Sequence, residues 1–442
     1  MYIIHNMTIS SFISDSYLAS DIDSILSILY SRGTFVFHFL DNGLFPASNL
    51  SPSAEYTGYG HVWIRDNVFV AYAHYLNDQI DASLRTIRTL ARYFLKHKWR
   101  LESIIAGTMD YQEPMNRPHI RFNGSDLSET DQKWAHAEND ALGYFIWIFC
   151  KIYIEEKKAL LPEEKKMLAL FARYFHTIRY WEDEDSGHWE EARKIEASSI
   201  GVVIGALEKL KTLMQRESGE GFLCLGEKIT TDFLDVLIAE GKQVLEKILP
   251  AECIQPDVNK YRRYDAALLF LTFPIKIVDE RMTKQILSDV IENLQGDYGI
   301  RRYLGDSFWF ADYKKNLRPE LRTADFSDNI STRDRLLKPG QEAQWCIFDP
   351  IISIIYGLEY QRDHDEKHLK LQIHYFNRSL GQLTEENSPY GGFKCPELYY
   401  LENGHYVPND TVPLLWTQAN LRMAFQFMKS SLMADNSSLV ER

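Results

Sequence analysis

The sequence predicts an all-α chain arranged as a ring of six helix pairs, and three observations carry that expectation. Apolar residues recur at three- and four-residue spacing in twelve segments of similar length. No stretch rich in Gly, Pro or Ser divides the 442 residues, so the segments are expected to share one core within a single domain over 1–431. The long connections fall between alternate segments, as a ring of pairs requires if one of its faces is to carry a site.

Taken in order, the first three segments are 18–32, 66–78 and 80–97, with Asp66 suited to an N-cap. The fourth, 137–157, is apolar almost all round over 142–154, as an inner helix would be. Pro162 opens the fifth, 163–179. Segments 195–213, 229–248, 262–273 and 280–294 follow, with Gly296 just beyond the last of these. The final three are 342–361, with Gly357 near its end, 364–382 and 414–431. Strand-like alternation is short, as in His119-Ile120-Arg121-Phe122. An open α-solenoid would also stack helix pairs, but no fixed repeat period runs through the chain. The polar tail 432–442, which includes Ala434-Asp435-Asn436-Ser437-Ser438, is expected to be disordered.

Composition narrows the function. A net charge of −13 argues against nucleic acid and anionic membrane surfaces, which need basic patches. Aromatic residues make up 13% of the chain, consistent with a sugar-binding cleft. Five scattered cysteines read as reduced thiols, and no Cys/His cluster has metal-ligand spacing, so no metal is expected. No run of about 18 apolar residues exists, so no membrane span is predicted. Asp15, Asp21 and Asp23 interrupt the apolar N-terminal stretch, so a cleaved signal peptide is not expected and the cytoplasm is the expected location.

The chemistry centres on His188-Trp189-Glu190-Glu191. A carboxyl group against an apolar ring, with other acids nearby, is placed to hold its proton near neutral pH, as a general acid must. A solvated acidic loop before a helix, with Trp189 as a packing anchor, would give the same four residues. Similar clusters of ring and charge recur in the other long loops: Tyr59 to Asp66, Trp134 to Asp140, Tyr298 to Asp306, and Pro396 to Trp416. Each taken singly fits a cap or a first helical turn. Together they would collect Trp, Arg, Asp and Glu on one face.

These segments, in this order, resemble family 15 of the glycoside hydrolases, the glucoamylase-like family, and its relatives the phosphorylase kinase α/β regulatory subunits. His61-Val62-Trp63-Ile64-Arg65-Asp66-Asn67 resembles the family's Trp-x-Arg-Asp sugar-binding segment. Tyr298-Gly299-Ile300-Arg301-Arg302-Tyr303 resembles its Gly-x-Arg-Tyr segment, and Pro413-Leu414-Leu415-Trp416 its final Leu-x-Trp segment. His119-Ile120-Arg121-Phe122-Asn123-Gly124, and Trp189-Glu190 followed by Ile195 to Gly201, are similar to the phosphorylase kinase side. The likeness covers about residues 55–425 and implies an (α/α)6 toroid.

The resemblance also implies roles. Glu190 matches the general acid and Glu397 the general base, with Glu402 and Asp410 as competing candidates for the base. Tyr59 matches a tyrosine that helps hold the attacking water. Arg65 and Asp66 match the pair that binds the terminal glucose, and Glu191 a carboxylate on the leaving-group side. Trp63, Trp134, Trp189 and Arg302 match further lining groups. The implied activity is inverting hydrolysis of an α-linked glucan without metal or organic cofactor. About 60 residues precede the first motif, too few for the N-terminal β-sandwich of many bacterial relatives, and no starch-binding module is expected after residue 431. A catalytically silent sugar-binding or regulatory toroid is the implied alternative.

Overall fold

The computed structural model describes residues 3–48, 58–217, 221–318, 322 and 333–433. Twelve ring helices are labelled in chain order. They are α1 (Ala19–Ser31), α2 (Ile64–Leu76), α3 (Ile80–Lys96), α4 (Asn139–Glu155), α5 (Pro162–Thr177) and α6 (Ala197–Arg216). The remainder are α7 (Thr231–Ile248), α8 (Leu269–Thr272), α9 (Glu280–Asn293), α10 (Phe348–Asp363), α11 (Glu366–Gly381) and α12 (Leu415–Leu432). Short helices at Met7–Ser10, Trp99–Ile105 and Tyr313–Asn316 stand outside this count. Among the described residues, no helix is long and apolar enough to cross a membrane.

The even-numbered helices form a closed inner ring. α2 packs on α4, α4 on α6, α6 on α8, α8 on α10, α10 on α12, and α12 returns to α2. The odd-numbered helices lie outside them, with α1 on α12, α3 on α2, α7 on α6, α9 on α8 and α11 on α10. The outer α5 packs on α3, and Phe94, Phe145 and Phe171 join α3, α4 and α5 in one aromatic contact. The sequence pattern explains this division. α2 buries every residue but His74, and α4 buries an unbroken run from Asn139 to Tyr153. α3 buries only the stripe that includes Leu84, Ile87, Leu90, Ala91 and Phe94. A helix apolar all round must be interior, whereas an amphipathic one covers it. The all-α (α/α)6 expectation is therefore met.

Two predicted segments need correction. The stretch 262–273 forms only a 3-10 turn, Ala266–Leu268, and the one-turn α8. Arg262 instead pairs with Cys253 in an isolated bridge, and the Asp265 carboxylate accepts from the Ala267 amide to start the turn. Pro274 ends it, because the residue before a proline is driven from helical geometry, and Phe273 is extended at φ −145°, ψ 128°. The segment predicted at 342–361 starts later, at Phe348. Gln344–Trp345 is strand instead, and Gly357 lies inside α10 rather than near its end. A Cβ on Gly357 would stand 2.4 Å from the Gln372 side chain of α11, so glycine permits that helix pair to approach. At the C-terminus α12 runs through Leu432, and the predicted disordered tail from 434 onward lies outside the described residues.

The connections sort by direction. The inner-to-outer links are mostly short, 77–79 and 364–365 among them, while 217–230 carries the hairpin β4 (Leu223–Cys224) and β5 (Glu227–Lys228). The six outer-to-inner links, 32–63, 97–138, 178–196, 249–268, 294–347 and 382–414, are long. Small antiparallel sheets fasten them. β1 (Val62–Trp63) pairs with β2 (Arg121–Asn123), which pairs with β3 (Ser128–Glu129). β6 (Gln344–Trp345) pairs with β7 (Leu398–Glu402), which turns back into β8 (His405–Pro408). All five cysteines are free and buried.

Along the ring axis Phe270 touches Phe69, Tyr144, Phe348 and Trp416, which come from four different inner helices. It is fully buried. Phe270→Ala should lower the unfolding free energy by about 3–5 kcal/mol, the usual cost of truncating a buried phenyl ring. Denaturant midpoints would read this, and a loss below about 1 kcal/mol would show that the ring does not depend on its axial aromatics.

Candidate active site

The outer-to-inner links meet over a cavity of about 480 Å³ whose lining includes Tyr59, Trp63, Arg65, Asp66, Trp189, Glu190, Glu191, Arg302 and Glu397. Residues separated by more than three hundred positions in sequence therefore share one wall. Of the ten residues predicted from sequence, Trp134 alone is not among this lining. It stands one layer back, its ring edge-on to Trp63 at 5.1 Å and the Arg121 guanidinium 3.9 Å over its face. Trp63 occupies the position at the cavity, so Trp134 supports that ring rather than facing the space itself.

Arg65 anchors one wall. It leaves the first turn of α2 and is 3% exposed. Its Nε donates to Asp140 Oδ2 at 2.7 Å, and Nη2 donates to Glu138 Oε2 at 2.7 Å and to the Gly187 carbonyl at 3.3 Å. Its Nη1 is 3.5 Å from Glu190 Oε1. Asp66 lies in the same turn and is not the N-cap, a position Trp63 holds. Burial pushes the Asp66 carboxyl up to about 7, against the pull of Arg65.

Glu190 is presented by a strained turn. Gly187–Trp189 forms a 3-10 turn, and Glu190 follows in the left-handed region at φ 59°, ψ 44°. Such a conformation costs a non-glycine residue on the order of 1–3 kcal/mol and persists only where its surroundings enforce it. Here both neighbours are locked. The Tyr144 hydroxyl is 3.0 Å from His188 Nε2, the Ser198 hydroxyl is 3.2 Å from Nδ1, and the imidazole stacks on Phe270 at 5.2 Å. Trp189 Nε1 donates to Asp265 Oδ1 at 2.9 Å. Gly187 also has positive φ, and a Cβ there would fall 1.5 Å from Glu196 Oε2. With His188 and Trp189 fixed, the Glu190 carboxyl is left at the cavity. Burial raises it to about 8, opposed by Arg65 and reinforced by Asp66.

Glu397 precedes β7. Tyr59 Oη donates to its Oε1 at 2.5 Å, and Asn409 Nδ2 donates to its Oε2. Burial pushes this carboxyl up to about 7, while the Tyr59 and Asn409 bonds and the charge of Arg302 pull it down. The competing candidates lie elsewhere. Glu402 accepts from the Tyr400 hydroxyl at 2.9 Å near the tip of the β7–β8 hairpin. Asp410 is held by Lys314 and by the Tyr390 hydroxyl at 2.9 Å. Neither is among the cavity lining.

The opposite wall is ionic. Glu191 is 2.7 Å from Arg262 Nη2, 3.5 Å from Lys194 Nζ and 3.9 Å from Arg302 Nη2. Burial raises its pKa, but these three cations outweigh it and hold the carboxyl at about 2. Arg302 is clamped through both nitrogens by Asp306, at 2.7 and 2.6 Å, and is framed by the rings of Trp345, Trp189 and Phe308 at 4.6–5.2 Å. Sequence reasoning missed Arg262 and Asp265, which it placed in a helix, and gave Glu138 and Asp140 no role of their own at the site. The Arg262-Arg263 pair on an otherwise apolar segment was the available signal for the first two.

The sequence matches the family described as "Glycosyl hydrolases family 15" over residues 38–390. It is 24% identical over 403 residues to a probable phosphorylase b kinase regulatory subunit alpha of Caenorhabditis elegans, covering 81% of this chain and 30% of that protein. A Drosophila melanogaster counterpart is 24% identical over 300 residues, covering 60% of this chain. The chain thus spans less than a third of the length of these curated relatives. Among solved structures, a wild-type glycosidase superposes with a TM-score of 0.63 at 14% identity, covering 93% of this chain and 99% of that one. The glucoamylase of Saccharomycopsis fibuligera does so with a TM-score of 0.57 at 13% identity, covering 97% of each chain. At such identity the structures show a shared fold, and the sequence match across most of the chain shows the family. The chain belongs to the glycosyl hydrolases family 15.

Proposed function

We propose that this protein is an exo-acting α-glucan hydrolase that releases glucose from the non-reducing ends of chains such as maltooligosaccharides, starch or glycogen, with inversion at the anomeric carbon. One observation carries the reading: Glu190 and Glu397, both buried, line one cavity in different surroundings. Glu190 sits in a wall crowded with other carboxyls and holds its proton the more firmly, at about 8. Glu397 receives two hydrogen bonds that favour its ionised form. Separation of two acids by environment is how one site runs acid and base chemistry together.

In the proposed mechanism Glu190 donates its proton to the glycosidic oxygen as the bond to the anomeric carbon breaks. Glu397 removes a proton from a water attacking the opposite face of the ring. Tyr59, bonded to Glu397, is placed to orient that water. Arg65 and Asp66 would hold hydroxyls of the terminal glucose, with Trp63, Trp189 and Arg302 lining the sugar site and Glu191 on the leaving-group side. All atoms are accounted for by water and the two carboxyls, so the mechanism calls for no metal or organic cofactor. The second reading, a silent regulatory toroid, rests on the phosphorylase kinase relatives. Other α-glucosides, such as α-1,6 glucans or trehalose, would use the same machinery.

Incubation with maltooligosaccharides or glycogen should release glucose, with the β-anomer formed first by NMR. No turnover on any α-linked substrate would leave the regulatory reading standing, and an α-anomer would refute inversion. Glu190→Gln should lower kcat by about 10²–10⁴-fold, the usual contribution of a general acid, with thermal unfolding unchanged.

The pH profile has a definite sign. kcat/KM should rise as Glu397 loses its proton near 7 and fall as Glu190 loses its own near 8. The result is a narrow bell close to neutrality, whose limbs belong to the pair. A maximum near pH 5 would overturn the assignment.

A further inference from the structure

The active-site cavity changes character with depth. At its floor Trp63, Arg65, Asp66, Trp345 and Trp416 are all buried. At its mouth stand Val258, Tyr261 and Leu304, which line the same cavity but are 84%, 55% and 55% exposed. Val258 and Tyr261 come from the link between α7 and α8, and Leu304 comes from the link before α10. The Arg262 guanidinium lies 3.4 Å over the Tyr303 ring and also reaches Glu191, so both links meet beside the ionic wall. The mouth is therefore apolar on the side of Glu191.

The polar groups at this end largely satisfy one another. Arg262 donates to Glu191 at 2.7 Å and to Asp265 at 3.0 Å. Lys194 Nζ donates to the Ala192 carbonyl at 2.7 Å and to Glu196 at 3.3 Å. Arg263 reaches the Pro250 carbonyl at 2.7 Å and Asp289 at 2.8 Å. Asn259 Nδ2 turns back to Asp257 at 3.2 Å, and the Ser307 hydroxyl donates to Asp334 at 2.6 Å.

A leaving group rich in hydroxyls would lose water here and meet donors and acceptors that are already engaged, which is an unfavourable exchange. The paired cations give a charged leaving group no better reception. What the mouth offers in excess is aliphatic surface. Val258 and Leu304 are branched and have no flat ring on which a sugar could stack. Single apolar side chains on a surface are ordinary, but three from two links that converge on one opening mark a binding surface.

We propose that the mouth is a site for an apolar leaving group, so that the protein also hydrolyses α-glucosides of alkyl alcohols. The glucosyl ring sits at the floor beside Arg65 and Asp66, and the alkyl chain runs outward past Glu191 onto Val258, Tyr261 and Leu304. The bond between the anomeric carbon and the alcohol oxygen breaks, and Glu190 gives its proton to that oxygen. Water, losing a proton to Glu397, forms the new bond to the anomeric carbon. Glucose and the free alcohol leave, and exchange with solvent restores both carboxyls. The chemistry of this step rests on the hydrolase reading, whereas the binding of the alkyl chain does not.

Hexyl and methyl α-glucoside carry the same sugar on alcohols of similar basicity and differ only in chain length. kcat/KM should be at least about tenfold higher for the hexyl compound, since each methylene fully removed from water is worth roughly fourfold. Val258→Ser combined with Leu304→Ser alters only exposed side chains and should bring the ratio to within about twofold. Isothermal titration of Glu190→Gln, which lacks the proton donor, should show the same preference in Kd. Equal Kd values for the two glucosides would overturn the proposal whether or not glucans are cleaved. So would a preference that survives the double substitution, or turnover of maltose without turnover of hexyl α-glucoside. Tighter hexyl binding with no turnover of any α-glucoside or glucan would uphold the site and refute the hydrolase reading instead.

Discussion

The Arg65 guanidinium decides which acids of the cavity wall are charged. Four carboxyls, from Asp66, Glu138, Asp140 and Glu190, are buried around it. Burial raises all four, and one cation cannot compensate four anions. Asp140, which accepts the Nε bond, is the one held below the usual carboxylate range: burial raises it, but Arg65, His188 and the hydrogen bonds it accepts together outweigh that burial. Glu138 is pushed well up by burial and by Glu190. Glu190, at 3.5 Å, feels enough of Arg65 to stay near neutrality but not enough to ionise readily. The same guanidinium reaches the Gly187 carbonyl and so ties α2 and α4 to the turn that presents Glu190. Removing one partner from a buried pair of this kind typically costs about 3–5 kcal/mol. Position and protonation of Glu190 therefore have a common origin.

The cavity is electrically two-sided as a result. On one wall Asp66, Glu190 and Glu397 titrate near neutrality. On the other, Glu191 is fully ionised among Arg262, Lys194 and Arg302, and Asp306 clamps Arg302. The ionic wall is built largely from the connection between α7 and α8 and from the one before α10. α8 is a single turn, so the chain before it remains extended, and Arg262 can reach the cavity.

This is also where the sequence was hardest to read. Eleven ring helices show through the 3.6-residue period because each has ten or more residues with one consistently buried stripe or surface. The run from Ala266 to Phe273 is just as apolar, but Pro274 and the Asp265 cap cut it to a stub, and periodicity does not register its length. Strands β1 and β6 have two residues each, too short for any alternation. Motif order placed Trp63, Arg65, Asp66, Glu190, Glu191, Arg302 and Glu397 at one cavity, but it carries no information about depth. That is why Trp134 was grouped with them although Trp63 stands in front of it. Glu397, Glu402 and Asp410 lie within fourteen residues of one another. The β7–β8 register separates them, with Glu402 opposite His405 at the hairpin end and Glu397 before the first paired residue.

The treatment of Glu397 bears on the choice between an enzyme and a silent toroid. Among the described residues no cation is in contact with it, although it is 1% exposed. Asp140 and Asp306 at such depth are paired with arginines, whereas Glu252 and Asp185, like Glu397, are met by neutral donors but, unlike it, do not line the cavity. The neutral donors to Glu397 are Tyr59 from the link before α2 and Asn409 from the end of its own hairpin. Donors of this kind stabilise the anion without neutralising it, and so leave the carboxylate able to take up a proton. A fold that needed only shape at this position could fill it with an apolar side chain at less cost. Retaining an unpaired, titratable group where several links converge is the pattern expected when the group must exchange a proton, and it favours the hydrolase reading over the regulatory one.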